Sequence, residues 1–183
     1  MLAVDTDWQL FARAADDGAA LAELFERHRH FVYRLGWGVL QSSEAADDIV
    51  QDVFLKIRSG RLKAAPKARF TTWLYGLAIN TAREHARKRR RFWGAADATE
   101  LLERQVDEAV DPERADAMRD LAKAMAMLPI RQREVVLLRF YEGFDTRETA
   151  EILGCREGTV KAHLHRATQT LRAGLASYKT ERT

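Results

Sequence analysis

The sequence predicts an all-α protein in which two small helical domains are joined by an acidic linker. Three observations predict this fold. Apolar side chains recur at helical spacing along nearly the whole chain of 183 residues. The three prolines, Pro66, Pro112 and Pro129, fall where a helix would break or begin. Between Asp97 and Asp120, nine acidic side chains stand against three basic ones, which is typical of a solvated connection.

These features also place the domain boundaries. We expect the first domain over residues 1–91, the linker over 92–111 and the second domain over 112–183. Hydrophobic residues make up 46% of the chain and charged residues 31%, so the chain is expected to fold. Domains of about 70 residues bury only modest cores, which leaves room for a large partner to add stability.

Three helices are predicted before residue 59. A short helix around Trp8–Ala15 is followed by a long one whose apolar face runs over Leu21–Val39. Gly36 and Gly38 are expected to weaken the far end of that second helix. The pair Ser42-Ser43 suits the N-cap of the third helix.

The third helix presents a polar face beside its core stripe. Asp48, Gln51 and Asp52 lie on one side of it, away from Ile49 and Val53. An acidic face of this kind suits a basic partner helix. Plain solvation of the face is the alternative interpretation.

Basic side chains dominate the next segment. The loop Ser59–Arg69 lacks periodicity and carries four basic residues: Arg61, Lys63, Lys67 and Arg69. A long helix then begins near Thr71 and runs into the basic stretch Arg87–Arg91. This charge predicts nucleic-acid binding, although a solvated helix end would look the same. The loop is longer than folding requires, and we expect it to wrap a nucleotide taken out of the base stack.

One face of the long helix offers a track for a sugar–phosphate backbone. Gly76, Asn80, Arg83 and Arg87 share this face, opposite Leu74, and the Asn80 amide is able to pair with an exposed base edge. Three aromatic side chains nearby suit either base stacking or the core: Phe70, Trp73 and Tyr75.

The second domain is predicted to end in a helix-turn-helix. A helix carrying Met118, Leu121, Met125 and Leu128 precedes Pro129, and a second helix over about Arg131–Tyr141 is rich in aliphatic residues and Phe140. Asp145, with Glu148 three residues later, forms a capping-box spacing, and Gly154 permits the tight turn.

The last helix separates an apolar face from a polar one. Val160, Leu164, Ala167 and Leu171 cluster on one side. The residues expected to reach phosphates or base edges in a major groove are Arg156, Thr159, Lys161, Ala162, His165 and Arg166. An ordinary solvated helix in a bundle is the alternative, because helical hairpins with a glycine turn are common.

Several classes of function are not expected. The histidine pairs His28/His30 and His163/His165 are spaced by two residues and point to different faces, so we expect no metal site and no other cofactor. Phosphate loops and nucleophile motifs are absent from the sequence, and no enzymatic activity is expected. The single cysteine, Cys155, excludes an intrachain disulfide and fits a cytoplasmic protein. We expect no secretory signal and no insertion of the chain into a membrane.

Two sets of motifs carry a resemblance to a known family. In the first domain they are Ala46-Asp47-Asp48-Ile49-Val50-Gln51-Asp52-Val53-Phe54 and Phe70-Thr71-Thr72-Trp73-Leu74-Tyr75 with Asn80. In the second they are Leu128-Pro129, Arg133-Glu134-Val135, Tyr141-Glu142-Gly143-Phe144, Glu148-Thr149-Ala150, Leu153-Gly154, Gly158-Thr159-Val160-Lys161 and Leu164-His165-Arg166-Ala167. Over roughly residues 8–175, the chain resembles the extracytoplasmic-function (ECF) sigma factors, with regions 2 and 4 in order. Gly76-Leu77, Phe144-Asp145-Thr146 and Cys155-Arg156 depart from the usual pattern.

The resemblance implies a mechanism and partners. Region 2 would grip the clamp of core RNA polymerase, open the minus-ten element and hold the non-template strand. Region 4 would dock on the polymerase flap and read duplex DNA at the minus-thirty-five element. The family often pairs with a membrane-anchored anti-sigma factor.

The alternatives to a sigma factor are a stand-alone repressor or activator and a helical nucleic-acid enzyme. The first would need a dimerising segment and the second acidic metal ligands, and neither is evident.

Overall fold

The computed structural model describes residues 6–64, 68–93 and 120–181, and all the regular structure in these residues is helical. The predicted all-α, two-domain fold is therefore confirmed. Met118 and nearly all of the predicted linker lie outside the described residues, and the domain boundaries remain predictions. Four helices form the first domain: α1 (Asp7–Arg13), α2 (Gly18–Leu40), α3 (Ser43–Arg58) and α4 (Phe70–Trp93).

The second domain contains four further helices, one of which widens at its end. They are α5 (described over 120–126), α6 (Ile130–Val136, continuing as a π-helical turn over Leu137–Tyr141), α7 (Thr146–Leu153) and α8 (Glu157–Glu181).

Side-chain caps fix the beginnings of several of these helices, among them α3 and α7. Ser42 caps α3 by accepting a hydrogen bond from the backbone of Ala45 at 3.2 Å. Asp145 and Glu148 form a capping box at the start of α7, with both reciprocal bonds present at 2.8 and 2.9 Å. Each cap satisfies backbone N–H groups that the first turn of a helix leaves without partners.

Aromatic side chains build one end of the first domain. Trp8, Phe11, Phe70 and Trp73 pack together, with ring centroids 4.8 to 6.3 Å apart. Phe70 and Tyr75 are buried, and Trp73 is half-buried. All three aromatic residues for which base stacking and core packing were both open, Phe70, Trp73 and Tyr75, therefore make packing contacts in the structure.

Two helical glycines permit close packing, where a weakened helix end was expected. A Cβ atom at Gly36 would lie 3.2 Å from the Ala46 Cα, and one at Gly38 would lie 2.7 Å from both methyl carbons of Leu137. A glycine in a helix costs about 0.5–1 kcal/mol relative to alanine. At both positions the absent side chain brings another element close to α2.

Two residues predicted within apolar helix faces are instead exposed. Leu121 is 49% exposed, because α5 turns Ala124, Met125 and Leu128 toward the core instead. Phe140 is 69% exposed. It lies in the π-helical turn, whose extra residue per turn rotates it off the buried face of α6.

The two domains pack against each other and share one continuous core. Buried residues of α6, α7 and α8, such as Val135, Ile152 and Val160, belong to the same apolar cluster as Leu74 and Ile79 of α4. Helix α4 packs on α7, and α2 packs on α6. The first and second domains therefore meet along a seam that covers part of α4.

Candidate nucleic-acid interface

The recognition helix of the second domain is held by a tight turn and an apolar face. Gly154 ends α7 in the left-handed conformation, with φ 65°, which favours glycine. Val160 and Ala167 are fully buried, and Leu164 and Leu171 are half-buried. The orientation of α8 is fixed by this packing.

The opposite face of α8 is open. All six residues predicted to contact a major groove are exposed: Arg156, Thr159, Lys161, Ala162, His165 and Arg166. A helix that presents small and basic side chains in this way can enter a major groove and contact phosphates and base edges.

The predicted partner face on α3 is partly engaged within the chain. Asp48 and Gln51 are exposed. Asp52 is half-buried, and its Oδ2 lies 2.8 Å from Nε2 of His85 on α4. The carboxylate of Asp48 is therefore more available to a partner than that of Asp52.

An apolar groove beside this face was missed from the sequence. The groove lies between α2 and α3, measures about 470 Å³ and is lined by Leu21, Phe25, Phe54 and Leu55 among others. Leu55 is 57% exposed, one turn beyond Gln51. The sequence signal that could have revealed the groove was an apolar residue, Leu55, outside the core stripe of α3.

The basic loop is anchored at both ends while its charges remain outside. Leu62 is half-buried against the core, and the Trp8 indole donates to the Ala68 carbonyl at 3.1 Å. Arg61 and Lys63 are exposed. Arg69 is 82% exposed and lies 3.9 Å from Glu148. Lys67 lies outside the described residues.

The predicted track along α4 is only partly open. Asn80 and Arg87 are exposed. Gly76 instead faces α7, where a Cβ atom would lie 3.6 Å from the Ile152 carbonyl oxygen. The Arg83 side chain is only 14% exposed because α6 covers it. The four residues therefore do not form one continuous free surface in this arrangement.

Arg83 makes a two-pronged ion pair with a buried carboxylate of the second domain. Its Nε and Nη2 donate to the two carboxylate oxygens of Glu134, each at 2.7 Å. Glu134 is fully buried, and Arg131 lies 3.5 Å from it. The Oδ1 of Asn80 accepts from Arg83 Nη1 at 3.2 Å. This pairing was missed because no local pattern links residues 51 positions apart in the chain.

Further polar contacts cross the same seam. Tyr75 donates to Glu142, and Arg34 lies 3.9 Å from that carboxylate. Burial, reinforced by the hydrogen bond to Glu142, raises the pKa of Tyr75 far above its ordinary value. The Arg133 Nη1 donates to the Val39 carbonyl at the end of α2, at 2.6 Å. Burial lowers the pKa of Arg133.

The described residues form neither a metal-binding cluster nor a membrane-spanning helix. Over residues 6–64, 68–93 and 120–181, no three His, Cys, Asp or Glu side chains come together in a group able to hold a metal ion. Among the same residues, no helix is long and apolar enough to cross a membrane.

Comparison with known families identifies both domains. Residues 24–92 match the family described as Sigma-70 region 2, and residues 118–171 match the one described as Sigma-70, region 4. The chain belongs to the sigma-70 family. Regions 2 and 4 hereafter denote its first and second domains.

Characterised relatives span most of the chain. It is 30% identical to the ECF RNA polymerase sigma factor SigM of Mycobacterium tuberculosis, over 88% of this chain and 80% of that protein. It is 30% identical to the RNA polymerase sigma-H factor of Pseudomonas aeruginosa, over 93% of this chain and 94% of that protein. Such proteins are transcription regulators.

Solved structures share the fold. CnrH in complex with the cytosolic domain of CnrY aligns with a TM-score of 0.66 at 24% identity, covering 94% of this chain and 99% of CnrH. The sigma factor RpoE of Bartonella quintana, in complex with the anti-sigma factor NepR, aligns with the same TM-score and identity, covering 81% of this chain and 91% of RpoE.

Proposed function

We propose that this chain binds core RNA polymerase in the cytoplasm, directs it to the promoters of a specific set of genes and itself makes no RNA. The observation that carries the proposal is the presence, in one chain, of sigma regions 2 and 4, each with a free polar face. A repressor would need only the second of these.

Region 2 supplies the polymerase contact. The exposed Asp48 and Gln51, with the half-buried Asp52, form a polar rim beside the apolar groove of α2 and α3. Basic side chains of the polymerase clamp would pair with the rim, while an apolar clamp residue would enter the groove next to Leu55. An apolar centre with a charged edge is the usual organisation of a protein interface.

Region 2 also supplies the strand-opening contacts. The cations Arg61, Lys63, Lys67 and Arg69 of the loop would hold the backbone of the non-template strand. The Asn80 amide would contact an extruded base of the minus-ten element, while Arg83 and Arg87 contact phosphates. Because unstacking a base costs a few kcal/mol, contacts made only to the open strand are needed to offset it.

Region 4 reads the duplex. Its exposed α8 face would enter the major groove at the minus-thirty-five element, with Lys161 and Arg166 as the main cationic contacts and Arg156, Thr159, Ala162 and His165 around them. The polymerase flap would hold region 4 at the right distance from region 2.

An anti-sigma factor is the proposed regulator. Support comes from the fold shared with RpoE, which was solved with its anti-sigma factor NepR. A partner that covers the polymerase-binding rim of region 2 would keep the chain inactive until the partner releases it. A membrane anchor on that partner would be in keeping with the resemblance to ECF sigma factors, which often pair with a membrane-anchored anti-sigma factor.

Run-off transcription tests the proposal. Purified chain and core polymerase are incubated with a library of genomic fragments, and the 5′ ends of the transcripts are sequenced. We expect a small set of start sites that depends on both components and shares two upstream elements. Start sites unchanged by the chain would overturn the proposal. Tight binding of the chain alone to symmetric duplex sites would instead favour the stand-alone regulator.

A further inference from the structure

The seam between regions 2 and 4 covers residues that the proposed function needs. Gly76 and Arg83 of α4 face region 4, whereas the α8 face of region 4 is entirely exposed. The arrangement therefore masks part of one promoter-binding surface and leaves the other free. We propose that Glu134 of region 4 competes with DNA for Arg83 and thereby holds the free protein closed. This inference rests on the proposed minus-ten role of α4.

The geometry of the pair supports competition. The Glu134 carboxylate takes both Nε and Nη2 of Arg83 at 2.7 Å, which is the forked arrangement that a guanidinium also makes with a phosphate. Glu134 thus occupies the donors that a DNA backbone would use. Arg83 also holds the Asn80 Oδ1, so the proposed base-contacting amide is engaged in the same network.

The energetics suit a reversible contact. A buried ion pair contributes little net stability, because desolvation offsets most of the attraction, but removing one partner alone is costly. When Arg83 exchanges Glu134 for a phosphate, its charge stays paired. Glu134 also keeps a cation, since Arg131 lies 3.5 Å away on the same helix. Opening therefore leaves neither charge isolated.

Shape complementarity adds a second, uncharged part to the closed state. Leu137 packs where Gly38 has no side chain, with its methyl carbons 2.7 Å from the position of a Cβ atom. A leucine at position 38 would compete with the Leu137 side chain for this space and so oppose closure. This site tests closure without altering a charge.

The first test removes the charge of the competitor. Glu134→Gln is compared with Glu151→Gln, a control that makes the same substitution at an exposed carboxylate, which pairs with Arg147 on its own helix. Binding of a short oligothymidine is measured by fluorescence anisotropy without polymerase, and the radius of gyration by X-ray scattering. We expect Glu134→Gln to bind about tenfold more tightly than the control and to be larger. Its affinity should also fall more steeply with salt, by about 0.7 in the logarithmic slope for one added phosphate contact.

The second test separates opening from DNA contact. Arg83→Ala also breaks the pair and should enlarge the protein, but it has lost the phosphate contact and should show no steeper salt dependence. Gly38→Leu should open the seam with every charge in place and reproduce the gain in oligothymidine binding. Gly18→Leu, where a Cβ atom meets nothing within 4 Å, is the control.

The outcomes are distinct. The inference is overturned if Glu134→Gln and Gly38→Leu, both folded by circular dichroism, keep the wild-type radius and affinity. It is also overturned if Arg83→Ala gains the same salt slope as Glu134→Gln. A wild-type chain that gives no promoter-specific transcripts with core polymerase overturns the proposed function instead, whatever the results for the Glu134, Arg83 and Gly38 variants.

Discussion

Individual side chains on α8 and α3 carry the recognition proposals. The helical period alone separated the buried Val160 and Ala167 from the exposed Lys161 and Arg166. This separation succeeded because α8 is long and regular, so a single rotation angle assigns each side chain to a face. Surfaces of this kind lend themselves to single substitutions that leave the fold intact.

Removing a cation from α8 should weaken recognition of the upstream element. Lys161→Ala and Arg166→Ala are each expected to cost about 1–3 kcal/mol if they contact a base edge, or to reduce the salt slope by about one if they contact a phosphate. Holoenzyme affinity for promoter DNA, measured across a salt series, checks this. Arg29→Ala, which removes a half-buried cation paired with Glu26 on α2 of region 2, is the control. Unchanged affinity and slope in both α8 variants would contradict the assignment.

Reversing the charge on α3 should weaken polymerase binding. Asp48→Lys places a cation where basic clamp residues are expected, and like charges at an interface should raise the Kd for core polymerase at least about tenfold. Asp16→Lys makes the same charge change at another exposed position of region 2. Biolayer interferometry with core polymerase measures both. Equal affinities for the two folded variants would remove Asp48 from the interface.

Helix starts and tight turns depend on residues that are close in the sequence, so their positions could be predicted from the sequence. A cap from the pair Ser42-Ser43, a cap from Asp145 and a tight turn at Gly154 were predicted from residue type and spacing, and the structure shows all three, with Ser42 as the capping residue of the pair. The π-helical turn was not predicted, and its first residue, Leu137, packs against Gly38 in another helix. Local chemistry sets where a helix begins, whereas distant contacts set its later turns.

The capping box of α7 should contribute measurable stability. Asp145→Ala removes the acceptor for the Glu148 N–H, a loss that costs about 1 kcal/mol and lowers Tm by about 2–4 °C for a chain of this size. Glu151→Ala, which loses only a surface ion pair on the same helix, should change Tm by less. Thermal melting followed by circular dichroism makes the comparison. Equal shifts would mean that the cap adds nothing beyond its charge.

Neutralising the basic loop should impair promoter opening while sparing polymerase binding. Replacing Arg61, Lys63 and Lys67 with serine keeps Leu62 and the bond from Trp8 to Ala68, so the anchored ends of the loop should persist. We expect slower open-complex formation, with partial rescue on a pre-melted template because the unpairing cost is already removed. Stopped-flow fluorescence on both templates measures it. A normal rate on duplex DNA, or no rescue in a variant that still binds core polymerase, would contradict the role of the loop.

The whole molecule depends on contacts that the sequence does not reveal. Composition and the order of motifs predicted two helical domains, and the family comparisons agree with them. Neither periodicity nor spacing links Arg83 to Glu134 or Leu137 to Gly38, because these pairs form only when the domains meet. For this reason, the sequence predicted a continuous nucleic-acid track on α4, whereas the structure shows part of it beneath region 4.

Promoter opening by the chain together with core polymerase is the decisive measurement of sigma activity. Permanganate reactivity of thymines is measured on a promoter taken from the run-off assay, with core polymerase alone, with the chain alone and with both. A sigma factor predicts reactive thymines in the minus-ten element only when both are present. Equal reactivity with core polymerase alone, or no opening when both components are bound to that promoter, would show that the chain does not act as a sigma factor.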